Sequence, residues 1–412
     1  MDALIARRAH RLILEALDDT RVVAIVGARQ VGKSTLGLGI AQSDRPAAVV
    51  NLDDRATREA ILADPVGALA DIDGPAFIDE VQRGGNELLL EIKASVDRDP
   101  LPGKFLLTGS ANLFATRRMF EALTGRMEIV HLHPLAQSEI EASPVSFVDA
   151  LFANDPPRIS DAPRGRRAFV ERVARGGYPA ALTREGRRRD AWFGSYLQAT
   201  LGRDLREISD AHKLRELPGL LRLVASQAAN LFVVRRVADR LALDPRTAAA
   251  YCDLLEAVFL IRRIPGWRPG IGAREVQTPK AYVVDSGLLC HLLGADRSRL
   301  SEDDQVTGKA LESFVAMEVA RHIDWADTDA RLYHYRSGRR EIDLVLESRS
   351  GEIACIEVKA AASFGPRDWR SMEVLRDERR DSFRSGVLLY TGERTLPLGD
   401  RLWAVPISGL WS

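Results

Sequence analysis

The chain has 412 residues, 46% of them hydrophobic and 28% charged, and its 58 basic side chains balance 58 acidic ones. That length exceeds one ordinary core and calls for two or three domains, while the neutral balance excludes a global field drawing the molecule to nucleic acid or membrane. No run approaches the roughly 18 apolar residues of a membrane span, the first residues carry a mixed-charge amphipathic pattern without an apolar signal core, and Cys252, Cys290 and Cys355 show no paired spacing, so a reducing, cytoplasmic setting is expected.

An apolar run at 22–26 leads directly into Gly27-Ala28-Arg29-Gln30-Val31-Gly32-Lys33-Ser34-Thr35, which contains a complete GxxxxGK[ST] phosphate loop. The glycines let successive backbone N–H groups turn toward a phosphate, and the following helix presents its positive dipole end to the same place. Lys33 is expected to reach the β- and γ-phosphates and Ser34 the Mg²⁺, so ATP and Mg²⁺ are the expected ligands.

Further strands are expected at 47–52, 76–80, 104–108 and 127–132, alternating with helical stretches such as 86–96. This alternation predicts an α/β domain over 1–142 with a doubly wound parallel sheet and its ligand at the strand carboxyl ends. Phe77-Ile78-Asp79-Glu80 stands where a Walker B motif belongs, with Asp79 holding Mg²⁺ through water and Glu80 polarising the attacking water. Thr108 or Ser110, with Ser110 preferred, is the candidate to orient that water. Arg126 precedes the last strand, far from the nucleotide of its own subunit, and fits the completion of a neighbour's site.

Residues 143–265 read as a helical region. Its arginine-rich stretch at 164–189 is expected to be a solvated face or a patch for nucleic acid or an acidic partner. Helical patterns at 234–241 and 247–257, broken at Asp244-Pro245 and followed by an apolar run at 258–264, suggest a helix-turn-helix with the start of a wing. The second helix offers few side chains able to read base edges, which favours a packing module over a sequence-specific DNA reader.

The phosphate loop, Ile78-Asp79-Glu80-Val81-Gln82 and Leu107-Thr108-Gly109-Ser110 together resemble the AAA+ superfamily, and within it a prokaryotic group of ATP-binding proteins. The resemblance runs on through Gly176-Gly177-Tyr178-Pro179, the stretch 280–288 and the stretch 308–318, which look like that group's uncharacterised C-terminal region. It implies a homo-oligomeric ring, commonly a hexamer, with Arg126 acting in trans.

In the C-terminal region, 266–412, the stretch 341–347, a turn at Ser350-Gly351, and 353–359 read as a β-hairpin. Glu357 and Lys359 share one side of the second strand, and Asp343 can reach it from the first. This constellation resembles the PD-(D/E)xK nucleases, which implies a restriction-endonuclease-like α/β domain. Its carboxylates would hold Mg²⁺ and its lysine would steady the attacking water, with Glu312 or Glu318 as the upstream helix glutamate. The expected protein is therefore a Mg²⁺-dependent ATPase whose ring acts on DNA. The alternatives are a nucleotide-dependent scaffold with a degenerate nuclease fold and a protein partner, and an ATP-gated nuclease.

Overall fold

Five apolar runs build the parallel sheet of the first unit: β1 (Val22–Val26), β2 (Ala48–Asn51), β3 (Ala76–Asp79), β4 (Phe105–Gly109) and β5 (Met127–His131). The computed structural model describes residues 4–72, 74–109, 123–204, 214–270 and 278–412. The strand order is β2-β3-β4-β1-β5. β1 is buried along its whole length between β4 and β5, which is why it reads as an unbroken hydrophobic run. From β1 the chain crosses to the far edge and returns strand by strand, so β1 marks the point where the order reverses and a ligand crevice opens.

Helices α1 (Ala9–Asp19), α2 (Lys33–Gly39), α3 (Arg55–Ala63), α4 (Pro65–Ala70) and α5 (Gly85–Arg98) accompany the sheet. Asp54 and Asp64 cap α3 and α4 by accepting from Thr57 N–H at 2.8 Å and Gly67 N–H at 2.9 Å, supplying partners to otherwise orphaned donors. The core holds Val22, Ala24, Val26, Ile78, Leu88, Ile92, Phe105 and Leu107. α2 lies so close to β3 that a Cβ at Gly37 would come within 2.4 Å of the Phe77 ring. Only glycine fits there.

The second unit contains α6 (Val234–Leu241), α7 (Pro245–Ala257), the antiparallel pair β6 (Ile261–Ile264) and β7 (Lys280–Val283), and the long helix α8 (Asp304–Trp325). A six-stranded mixed sheet follows: β8 (Ala330–Ser337), β9 (Arg340–Ser348), β10 (Ile353–Lys359), β11 (Phe383–Tyr390), β12 (Leu396–Gly399) and β13 (Leu402–Pro406), ordered β12-β13-β11-β10-β9-β8. Both faces are covered. Ala354 and Ile356 of β10 join Phe314 and Val315 of α8 in one core, whereas Ile353 and Cys355 join Met372 and Leu375 of the helix Arg370–Arg379 in another.

Contacts divide the chain into two compact units: Met1–Pro134 with Leu197–Leu214 and Ala257–Phe259, and Leu135–Tyr196 with Arg215–Glu256 and Leu260–Ser412. The boundary at 265/266 does not separate cores, because Phe147, Leu151, Phe169 and Val173 pack into one cluster with Phe314, Leu344, Ile356 and Val405.

A buried polar network explains the motifs at 176–179 and 280–288. Asp285, fully buried, accepts from Gly177 N–H at 2.7 Å and Leu288 N–H at 3.0 Å. Gly176 adopts φ +70°, and a Cβ there would lie 2.3 Å from the Asp285 carboxylate. Arg321 donates to Glu318 at 2.6 Å and to the Leu135 carbonyl at 3.2 Å, and Glu318 accepts from Gln137 N–H at 2.8 Å. Burial pushes the Glu318 carboxyl up to about 7 against the pull of Arg321. Glu318 is thus a structural anchor rather than a nuclease ligand. Arg321 also lies 3.7 Å from Asp285, so Arg321→Met leaves two buried carboxylates, Glu318 and Asp285, without their cation and is expected to cost about 3–5 kcal/mol, read as a lowered denaturant midpoint; an unchanged midpoint would show that the network contributes nothing.

The arginine-rich stretch is not a bare solvated face. Arg166 pairs with Asp304, Arg172 with Glu141 at 2.8 Å, and Arg189 with Glu171 at 3.3 Å. All three cysteines are buried, and burial pushes the Cys252 thiol up to about 11 and Cys290 to about 12.

Candidate functional site

The loop between β1 and α2 takes its shape from backbone conformations that a regular turn avoids. Gly27, Gln30 and Gly32 have φ of 157°, 60° and 99°, and such left-handed residues turn consecutive N–H groups to one side as an anion-binding concavity. A Cβ at Gly27 would meet the Leu132 carbonyl at 2.0 Å, whereas one at Gly32 would meet nothing within 4 Å. The first glycine is therefore required by packing and the second faces open space. The left-handed Gln30, a non-glycine residue, is strain of the kind stored at functional loops.

Lys33 is 5% exposed, and its ammonium donates to the Gly27 carbonyl at 3.0 Å and the Ala28 carbonyl at 2.9 Å. The side chain lies across the inside of its own loop. Ser34 and Thr35 stand exposed in the first turn of α2, Arg29 is half-buried, and Ala28 and Val31 are buried. Arg7 donates to the Val31 carbonyl at 2.8 Å and the His133 carbonyl at 2.6 Å, tying the loop to the end of β5.

Because β1, β3 and β4 run parallel, their carboxyl ends lie on one side. Asp79 closes β3 there, 8% exposed, and Thr108, fully buried on β4, donates to its Oδ1. The same Thr108 hydroxyl accepts from Glu80 N–H at 3.1 Å. Glu80 takes a left-handed φ of 55° and its carboxylate receives the Gln82 side-chain amide. Thr108 thus fixes both acidic residues. Ser110, the other candidate for that strand, lies outside the described residues. The hydroxyl and carboxylate oxygens of Ser34 and Asp79 form a hard donor set that suits Mg²⁺, an ion commonly held by one or two protein groups plus phosphates.

Arg126 lies at the other end of the sheet. Val22 pairs with Met127, so Arg126 sits beyond the strand amino ends, roughly 16 Å of strand away from the phosphate loop. Its guanidinium engages both oxygens of Asp97, with Nη2 at 3.0 Å from Oδ2.

In the second unit the carboxylate cluster differs from expectation at its lysine. Pairing of β9 with β10 ends at Leu344↔Ile356. Just beyond, the side chains stand in for the missing ladder: Asp343 Oδ2 accepts from Val358 N–H at 2.9 Å, and Glu357 Oε2 accepts from Asp343 N–H at 3.3 Å. Lys359 turns away to pair with Asp368. The lysine inside the cluster is Lys280 of β7, 1% exposed, with its ammonium 2.9 Å from Glu312, 3.0 Å from Glu341 and 3.5 Å from Asp343.

Burial alone would discharge Lys280, but Glu312, Asp343 and Glu341 outweigh it and hold its pKa above the ordinary lysine value. Burial and the Asp343 charge push Glu312 up to about 7 against the pull of Lys280, and burial and Asp343 likewise raise Glu357. Tyr282 donates to Glu312 at 3.0 Å, while Tyr335 is a buried core residue packed against Trp267. Among the described residues no group of three or more His, Cys, Asp or Glu side chains is disposed to hold a metal ion. The cluster does not fit the metal expected at Asp343, Glu357, Lys359 and Glu312, since its lysine is Lys280 and its carboxylates are already engaged.

The reversed strand order around β1, the phosphate loop and the acidic pair on β3 define an ATPase domain of the AAA type, and the profile described as an AAA domain matches residues 19–141. Two further profiles, both domains of unknown function, match 166–299 (DUF8612) and 307–410 (DUF4143). The chain belongs to the family of the uncharacterised proteins Rv2008c of Mycobacterium tuberculosis and Mb2031c of Mycobacterium bovis, to each of which it is 31% identical over 409 residues, 98% of this chain and 84% of theirs. Among solved structures, the Thermotoga maritima RuvB Holliday junction branch migration motor aligns at 17% identity over 63% of this chain and 88% of its own, with a TM-score of 0.29. AMPPCP-bound DnaA of Aquifex aeolicus aligns at 14% over 61% and 89%, with a TM-score of 0.30. Neither superposition is close enough to carry an argument about this chain. Among the described residues no helix is long and apolar enough to cross a membrane.

Arg7 and Lys280 are the site residues that local motifs did not single out, and Thr108, expected to orient the attacking water, bonds Asp79 and Glu80. Arg7 lies 24 positions from Val31 and 126 from His133, and only a folded chain brings them together.

Proposed function

We propose that the protein is a Mg²⁺-dependent ATPase that couples ATP binding and hydrolysis to rearrangement of an oligomeric ring acting on nucleic acid. The observation that carries this reading is the convergence of Lys33, Ser34, Asp79, Glu80 and Thr108 at the carboxyl ends of three parallel strands.

Phosphate binding draws on the N–H groups of Gly27 to Thr35, with the Lys33 ammonium exchanging the Gly27 and Ala28 carbonyls for phosphate oxygens. Ser34, and Asp79 through water, would hold Mg²⁺, which would supply positive charge at the β- and γ-phosphates. Glu80 takes the proton of the attacking water, its backbone pinned by Thr108. Arg126, remote from its own phosphate loop, serves the neighbouring subunit once it leaves Asp97. Arg126→Ala is expected to lower turnover by about 10³-fold, with partial recovery when mixed with a subunit inactivated at Glu80; full turnover by the variant alone would refute the role.

Support for nucleic acid as the partner comes from α6, α7 and the β6/β7 pair, which have the order of a winged helix, with Arg235, Arg236, Arg240 and Arg246 exposed on the helices. The mixed sheet carrying Asp343 and Glu357 is read as a nuclease-like domain. ATP hydrolysis measured with and without single-stranded, duplex and branched DNA, with the DNA followed on a gel, tests the reading. Stimulation by DNA supports it, and turnover indifferent to every DNA moves the partner to protein. That second reading, a nucleotide-dependent scaffold with a degenerate nuclease fold, is favoured by the engagement of Lys359 with Asp368.

A further inference from the structure

We propose that Lys280 is a resident cation of the carboxylate cluster, standing where a divalent metal would otherwise be bound, and that this site neither takes up metal nor cleaves phosphodiesters. The inference rests on the nuclease-like reading of the sheet only for where a metal would be sought.

An ammonium has three N–H donors and no acceptor, and the Lys280 Nζ has three carboxylates around it, Glu312 at 2.9 Å, Glu341 at 3.0 Å and Asp343 at 3.5 Å. These come from two different elements, α8 and β9, and converge on one point. A hard divalent ion also demands converging carboxylate oxygens, and with Lys280 between them these three are not disposed to hold one. Here a protein cation satisfies those oxygens.

The lysine is held in place from its backbone outward. Lys280 pairs with Ile264 across β6 and bridges to Leu231 on its other side, and its side chain is 1% exposed. Unlike the Lys33 ammonium, which rests on two neutral carbonyls, the Lys280 ammonium is held by three carboxylates, and leaving them to steady a water or a substrate phosphate would strand buried negative charge. A lysine that serves catalysis needs a donor directed at the reacting group.

The carboxylates are committed as well. Asp343 turns its second oxygen to Val358 N–H at 2.9 Å, and Glu357 accepts from Asp343 N–H at 3.3 Å, so a metal would have to break the splint that joins β9 to β10. Lys359, the lysine that the strand pattern offers for catalysis, is paired with Asp368. Both lysines are therefore engaged with carboxylates of the chain, one within the cluster and one outside it.

The test uses the full chain without nucleotide and Mn²⁺ as the probe, with binding measured by calorimetry and by the loss of the free Mn²⁺ electron-spin signal. Wild type and Asp343→Asn are expected to bind Mn²⁺ identically, and Lys280→Met to gain one equivalent that is lost again when Asp343→Asn is added. A wild-type Mn²⁺ equivalent that disappears in Asp343→Asn would overturn the inference, and so would a folded Lys280→Met chain that gains none. If Lys280→Met fails to fold, the comparison of wild type with Asp343→Asn decides alone.

Single-stranded and duplex DNA in the same samples report separately on the nuclease-like reading. A Lys280→Met chain that gains the metal site but neither binds nor cuts DNA supports the resident cation and sinks that reading. Metal-dependent cleavage by wild type that Asp343→Asn abolishes does the reverse.

Discussion

Lys33→Ala is expected to weaken ATP binding by at least about 100-fold, measured by calorimetry with a non-hydrolysable analogue. A hydrogen bond to a charged partner contributes about 1.5–3 kcal/mol, and an ammonium that meets two phosphates in a largely buried position stands at or above the top of that range. The side chain also spans its own loop, bonding the Gly27 and Ala28 carbonyls. Its loss therefore loosens the cradle as well as removing the charge. The folded sheet should survive, since Lys33 contributes nothing to the apolar core beneath it, and an unchanged melting temperature separates lost binding from lost structure. Wild-type affinity in the variant would remove the phosphate loop from the argument altogether.

Glu80→Gln should leave binding within a few-fold of wild type and reduce turnover by about 10²–10⁴-fold, the usual contribution of a positioned general base. The substitution keeps the shape of the side chain, and the Gln82 amide still finds an oxygen to donate to. The left-handed backbone and the bond from Glu80 N–H to Thr108 do not depend on the carboxylate. What changes is proton affinity, so the effect falls on hydrolysis alone. A variant that turns over ATP at the wild-type rate would transfer the base role elsewhere, whereas one that no longer binds would mean that Glu80 shapes the site instead.

The proposed nucleotide site could be read from the sequence because its chemistry is local. Nine consecutive residues spell the phosphate loop, and the acidic pair ends a short apolar strand, so spacing alone places both at the ligand-facing end of a parallel sheet. The expected strands at 47–52, 104–108 and 127–132 fall within a residue of those found. The carboxylate cluster was legible only in part. The hairpin and the approach of Asp343 to Glu357 follow from alternation across one turn. Lys280, however, is 32 residues from Glu312 and 63 from Asp343, a distance over which no periodicity operates, while Lys359 shares the strand register yet is drawn off by Asp368. Choosing between Glu312 and Glu318 likewise needed the fold. They stand six residues apart on one helix, and only packing shows that Glu318 is taken by Arg321 and Gln137.

Arg7 gives the molecule a mechanical linkage. One guanidinium grips the phosphate loop at Val31 and the end of β5 at His133, and two residues later the chain enters α1. The segment that leads into α1 is thereby tied to the phosphate loop by a side chain as well as by the packing of α1 on β1 and β5, and any coupling between that segment and the loop acts equally in both directions.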